Sequence, residues 1–179
     1  MKRVTYILIT IIILVGLRSN TASPAQMPDT RSVVRALYIY TFATLVEWPQ
    51  EKRSGNFVIG VFGEISGVYS ELTKKYSGKS IGSQEIVIKN YQSTQDISDL
   101  HILYVSPENT KHIKALSQTT IKGNTLLVSE GVGGLTKGAI VNFIIEGAQQ
   151  KYEINKSNAK KHKLVIADKL SDLAANVIK

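Results

Sequence analysis

The sequence predicts an α/β fold: a single three-layer domain with a mostly parallel central sheet, helices on both faces, and a C-terminal β-hairpin plus helix. Three observations point there. Apolar runs of strand length at residues 56–63, 101–106 and 125–129 show no polar alternation, the pattern of strands buried on both faces. Segments with helical spacing, at 67–76 and 109–118, fall between such runs. After the glycine-rich stretch 131–134 the rhythm changes to two adjacent strands, 139–146 and 150–155, with Gly147 in the short turn between them.

The 179 residues are 43% hydrophobic and 20% charged, which suits one domain with one sizeable core. With only 4 Pro and 13 Gly, collagen-like and broadly disordered classes are excluded. The chain has no cysteine, so it has no disulfide, thiol nucleophile, Cys-ligated zinc or lipid-modified Cys.

Lys2 and Arg3 precede a 14-residue run, 4–17, that is apolar except for Thr5, Thr10 and Gly16. A membrane-crossing helix needs roughly 20 such residues, a signal-peptide core about 7 to 15. Residues 18–25 are mostly small and polar, with Ser23 and Ala25 at the −3 and −1 positions of a cut before Gln26. Residues 1–25 therefore read as a signal peptide and 26–179 as the exported domain, with an uncleaved anchor as the alternative. Export places the protein in the periplasm and removes the reading that its charge invites, a nucleic-acid partner. The formal net charge is +8, and removing Lys2, Arg3 and Arg18 leaves +5. Residues 151–179 carry seven Lys against Glu153, Asp168 and Asp172, which reads either as a solvated face or as weak attraction to an anionic membrane surface or acidic partner.

The first helix is expected over 31–47, capped by Asp29 or Thr30 and stopped at Trp48 by Pro49. Its middle, 36–43, is apolar or aromatic nearly all round, so more than one side must be covered by the fold, by a second copy in a homodimer, or by a partner. Residues 84–89 alternate as an edge or half-buried strand does. The chain closes with a helix at 157–161, a short strand at 164–166 and a last helix over 168–177. Asp168 caps that helix, and Leu170, Leu173, Ala174 and Val177 share one side of it.

Catalytic patterns are missing. There is no G-x-S-x-G elbow and no Walker loop, and Gly60, Gly63 and Gly67 have the wrong spacing for a dinucleotide loop. His112 lies one helical turn beyond Glu108, but two ligands do not make a zinc site, and His101 and His162 stand apart. Glu47, Glu64 and Glu130 form no recognisable acid and base pair. No catalytic residue, metal or cofactor is assigned. Tyr38, Tyr40, Phe42, Glu47 and Trp48 are candidates for a partner or dimer interface, being rich in anchoring residue types. Gly63, Ser106 and Gly133, at strand ends, are the candidates for a small-ligand pocket.

Residues 34–49, VRALYIYTFATLVEWP, followed by 57–63, FVIGVFG, resemble the opening of YfiR-like proteins. The segments 101–106 (HILYVS) and 125–129 (TLLVS) are similar to that family's central strands, 138–146 and 151–155 to its closing hairpin, and 169–174 to its last helix. The resemblance implies an exported α/β domain without enzymatic activity. The family's namesake is a periplasmic repressor that restrains an inner-membrane diguanylate cyclase through its sensor region; release raises cyclic di-GMP and promotes biofilm formation. The implied partner is thus a membrane cyclase or sensor protein, such as a histidine kinase. The namesake type carries disulfide-forming cysteines and this chain carries none, so any switch here is noncovalent. Intact-mass analysis of protein recovered from the periplasm should give a chain beginning at Gln26; retention of residues 1–25 would show the anchor instead.

Overall fold

The computed structural model describes residues 29–63 and 67–179; the expected signal peptide and Glu64 lie outside them. The first helix, α1 (Thr30–Leu45), starts where Asp29 caps it, its carboxylate accepting from the Arg31 amide at 3.2 Å and the Ser32 hydroxyl at 3.0 Å. The Ser32 bond foremost holds the Asp29 carboxyl below its ordinary pKa. The helix ends before the expected Glu47. Val46–Glu47 form β1, which pairs antiparallel with β9 (Val165–Ile166), and the Ala167 amide donates to the last helical carbonyl, Leu45, at 3.3 Å. A strand partner from far along the chain thus takes backbone groups that a further helical turn would have used.

The remaining elements are β2 (Phe57–Phe62), α2 (Val68–Tyr76), β3 (Ser80–Ile81), β4 (Gln84–Tyr91), β5 (Ile102–Val105), α3 (Ile113–Lys122), β6 (Leu126–Glu130), β7 (Val141–Glu146), β8 (Gln149–Asn155), α4 (Lys156–Lys161), then β9, α5 (Asp168–Leu173) and β10 (Asn176–Ile178). Eight strands form one mixed sheet in the order β10-β8-β7-β6-β5-β2-β4-β3. From β4 to β7 all neighbours are parallel; β7 and β8 form the expected antiparallel hairpin, with Gly147 at φ +60° in its turn. Such a positive φ is one that glycine adopts without a Cβ clash.

Three further expectations need correction. Residues 109–118 do not make one helix: Pro107–His112 wind as a 3-10 turn, and α3 follows and runs on to Lys122. The last helix stops at Leu173, which is 61% exposed, and Asn176–Ile178 leave it to pair parallel with the outer edge of β8. The Ala175 amide, donating to the Tyr152 carbonyl at 2.9 Å, starts that pairing. Unpaired edge groups outcompete another helical turn there. Nor does Asp168 cap α5: the capping position is Ala167, and the exposed Asp168 carboxylate faces Lys156 at 3.9 Å.

Side-chain alternation along each buried strand feeds two separate cores. Phe57, Ile59 and Val61 point to one face, with Tyr104, Val128 and Phe143, where Ala36, Ile39 and Phe42 of α1 and Leu72 of α2 cover them. Val58 and Phe62 point to the other, with Leu103, Val105 and Leu127, under Ile113 and Leu116 of α3. The three layers therefore follow from period-two alternation in strands that are apolar on both sides. Phe42→Ala should lower stability by about 3–5 kcal/mol in urea denaturation, because it empties the centre of the first core. Leu37→Ala, on the same helix but 54% exposed, should stay within about 0.5 kcal/mol.

Candidate functional site

The aromatic residues of α1 divide by depth. Phe42 is fully buried, its ring 5.0 Å from that of Tyr152 and 5.9 Å from that of Phe143. Trp48 is also buried, edge-on to Phe57 at 5.4 Å, with its indole N–H directed at the Ala43 carbonyl at 3.5 Å. Tyr38 is half-buried against Tyr152, and Tyr40 stacks on Tyr76 of α2 at 4.4 Å. Glu47 is exposed. Of the three covers the sequence left open, the chain's own fold takes most of the helix. Leu37, parts of Tyr38 and Tyr40, and Thr44 reach the surface from the helix, and Glu47 from β1 after it. Beneath them the Tyr152 hydroxyl donates to the Leu170 carbonyl at 2.9 Å, and burial pushes its pKa up to about 12.

The segment after α1 is tied down through one imidazole. His101 Nδ1 accepts from the Val58 amide at 3.1 Å, which leaves Nε2 to donate to the Lys52 carbonyl at 2.8 Å. Gln84 Nε2 donates to that same carbonyl at 3.0 Å. The buried Lys52 ammonium reaches Asp99 at 2.5 Å and the Leu100 carbonyl at 3.1 Å, and holds the Asp99 carboxyl below its ordinary pKa. The His101 ring stacks on Phe57 at 4.1 Å and meets Trp48 edge-on at 5.4 Å, so burial pushes its pKa down. His162 is held likewise, with Nδ1 donating to the Thr125 carbonyl at 2.7 Å and its pKa lowered by burial. These ring nitrogens serve backbone groups, so neither histidine has the arrangement of a proton-transfer dyad.

The expected pocket residues do not converge. The order of the sheet reverses between β2 and β5, the place where α/β sheets open a crevice. Gly63 and Ser106 lie at that switch point, but Asn109 fills it. Its amide donates to the Ser106 hydroxyl at 3.0 Å and lies so close to Gly63, at φ +87°, that a Cβ there would overlap it. Gly133 stands elsewhere, its neighbours being Thr136 and Lys137.

One polar group at the strand ends was not assembled from the sequence. Arg35 of α1 pairs with Glu130 at the end of β6, and the Tyr104 hydroxyl donates to the other Glu130 oxygen at 2.9 Å. The signal was an arginine, Arg35, bordering the apolar middle of the helix and a carboxylate closing a buried strand. Across the sheet, Ser129 donates to Asn142 at 2.8 Å, and Asn142 to Glu153 at 3.3 Å. Among the described residues no three His, Cys, Asp or Glu gather as metal ligands, and no helix is long and apolar enough to cross a membrane.

Fold and site define a doubly wound α/β domain in which Lys52, His101 and His162 are committed to holding its own backbone. The chain belongs to the YfiR/HmsC-like family, whose model matches residues 32–175. That family consists of periplasmic regulators of diguanylate cyclase signalling rather than enzymes. No curated protein matches the sequence. Among solved structures, a conserved domain protein from Vibrio cholerae is 12% identical, with a TM-score of 0.52 over 79% of this chain and 59% of that one. An ABC domain in complex with L-Trp, from Streptococcus pneumoniae, is 14% identical, with a TM-score of 0.49 over 68% of this chain and 55% of that one. The chain thus spans less than two thirds of the length of either, and the likeness to the Vibrio protein is one of fold alone.

Both lowered histidines give a pH dependence of definite sign. The unfolded chain takes up protons below about pH 6.5 and the folded one resists, so stability is full above that value and falls below it. Each histidine steepens the fall by up to about 1.4 kcal/mol per pH unit. Urea midpoints measured from pH 7.5 to 5 should drop below pH 6.5, and the His101 and His162 ring signals in NMR should titrate at lower pH than a free imidazole. A flat midpoint would contradict the assigned hydrogen bonds.

Proposed function

We propose that this protein is an exported, non-enzymatic regulator that binds the extracytoplasmic region of a membrane signalling protein, a diguanylate cyclase or a sensor kinase, and thereby modulates cyclic di-GMP or a similar output. The observation that carries this reading is the family match across residues 32–175. The geometry supports it with a surface: Leu37 and the outer parts of Tyr38 and Tyr40 stand on a helix whose other side is locked into the core, and Glu47 is exposed in the strand that follows it. Such a rigid, partly aromatic edge docks with little loss of side-chain freedom. The same edge serves for a homodimer, in which case self-association and partner capture compete and form a switch without covalent chemistry.

A periplasmic small-ligand module is the second reading, favoured by the position of Gly63 and Ser106 at the switch point of the sheet. It requires Asn109 to move aside, and a ligand for the native state would raise the melting temperature.

Tagged protein should capture a membrane cyclase or kinase from detergent-solubilised membranes. The double variant Leu37→Glu/Glu47→Lys should lose at least about tenfold in that capture while its melting temperature holds. Deletion of the gene should change cellular cyclic di-GMP and surface attachment. Capture of no membrane protein, together with unchanged cyclic di-GMP, would refute the proposal.

A further inference from the structure

The positive charge is not where the count over residues 151–179 suggests. Lys151 pairs with Glu146, and Lys156 faces Asp168, so part of that excess is locally neutralised. The exposed surplus belongs to three segments that the fold brings together: α3, the loop 131–138 and α4. Gly138 packs so tightly on Ser117 of α3 that a Cβ there would overlap the Ser117 hydroxyl. Asn158 of α4 donates to the Leu135 carbonyl at 3.0 Å and the Ala139 carbonyl at 2.9 Å, at the end of the same loop. His162, just past α4, holds the Thr125 carbonyl, three residues beyond the end of α3.

Ile113 and Leu116 seat α3 on one face of the sheet and Ala159 seats α4 on the other, so the segments meet at the sheet margin where β6 and β7 begin. They carry Lys114 and Lys122 of α3, Lys137 of the loop, and Lys160, Lys161 and Lys163 in and after α4, all exposed. The stretches 109–129, 131–145 and 154–167 contain no Asp or Glu. At the rim, Glu51 accepts from Asn124 at 3.1 Å, and Asp168 faces Lys156. Among the described residues the ammonium groups of Lys114, Lys122, Lys137 and Lys160 form no ion pair or hydrogen bond.

We infer that this α3–loop–α4 face binds the anionic lipid headgroups of a membrane surface. Three features favour lipid over an acidic protein. Every cation in these stretches is Lys and none is Arg, whereas carboxylate recognition across a protein interface favours the planar Arg fork. None of the three stretches supplies an aromatic residue to the exposed face, although protein interfaces are enriched in aromatics and depleted in Lys. Val132 is 96% exposed at the tip of the same loop, where a small apolar side chain can enter the headgroup layer. Dispersed, mobile ammonium groups suit headgroups that are themselves dispersed and mobile. The proposed export determines only which leaflet the face would meet, so vesicle binding is independent of any protein partner.

The test is co-sedimentation of the protein recovered from the periplasm with vesicles of phosphatidylcholine alone or with 40% phosphatidylglycerol. The mixed vesicles should bind it and the neutral ones should not, with binding abolished at 0.5 M salt. A lysine close to an anionic surface is worth about fivefold in partition. The variant K114Q/K122Q/K137Q/K160Q should therefore lose at least roughly tenfold. The control R31Q/K74Q/K89Q/K169Q removes the same charge from other surfaces and should change binding less than about twofold. Equal loss in both variants, equal binding to both vesicles, or no binding to either would overturn the inference. None of those results would touch the capture of a membrane protein through α1.

Discussion

The structure depends on the seating of α1 across one face of the sheet. Phe42 and Ile39 close the first core over strands from the early and the late halves of the chain, with Phe57 on one side and Phe143 and Tyr152 on the other. Arg35 brings a charge to Glu130 at the end of β6, and Val46–Glu47 bring a strand to Val165–Ile166. One helix thus joins segments more than a hundred residues apart. Its burial of several large side chains, each worth about 1.5–3 kcal/mol, outweighs what its own propensity supplies.

A second joint holds the segment that follows. The Lys52 carbonyl gathers His101 and Gln84, while the Lys52 ammonium gathers Asp99 and the Leu100 carbonyl. Groups that a sequence reading would inspect for chemistry are thereby committed to the backbone. Taking a lysine this far from water is costly, and the carboxylate and carbonyl beside it offset that cost. With no cysteine in the chain, packing and hydrogen bonds of this kind carry the cohesion that disulfides carry elsewhere.

Much of the fold was legible because strands apolar on both faces, hairpin alternation and the Trp48-Pro49 stop are local signals. Element ends were less legible where distant segments compete for backbone groups: β9 takes Val46–Glu47 out of α1, and β8 takes Asn176–Ile178 out of the last helix. The site was legible by composition and not by depth. Sequence marks Tyr38, Tyr40, Phe42 and Trp48 as anchoring types, but only the packed sheet separates buried Phe42 and Trp48 from half-exposed Tyr38 and Tyr40. Arg35 with Glu130 lay beyond reach because the partners are 95 residues apart and neither belongs to a motif.

The parallel strand β10 covers only Glu153–Asn155 of the seven-residue β8. Beyond it, the Ala175 amide donates to the Tyr152 carbonyl at 2.9 Å and the Tyr38 hydroxyl to the Gln150 carbonyl at 3.4 Å, beside the half-buried Lys151 and its ion pair with Glu146. A flat, uncovered margin would recruit a strand from any neighbouring molecule. Three residues of guard strand and a few single hydrogen bonds are a slender defence against that polymerisation. Loss of Asn176–Ile178 would uncover the Glu153–Asn155 stretch of the hairpin.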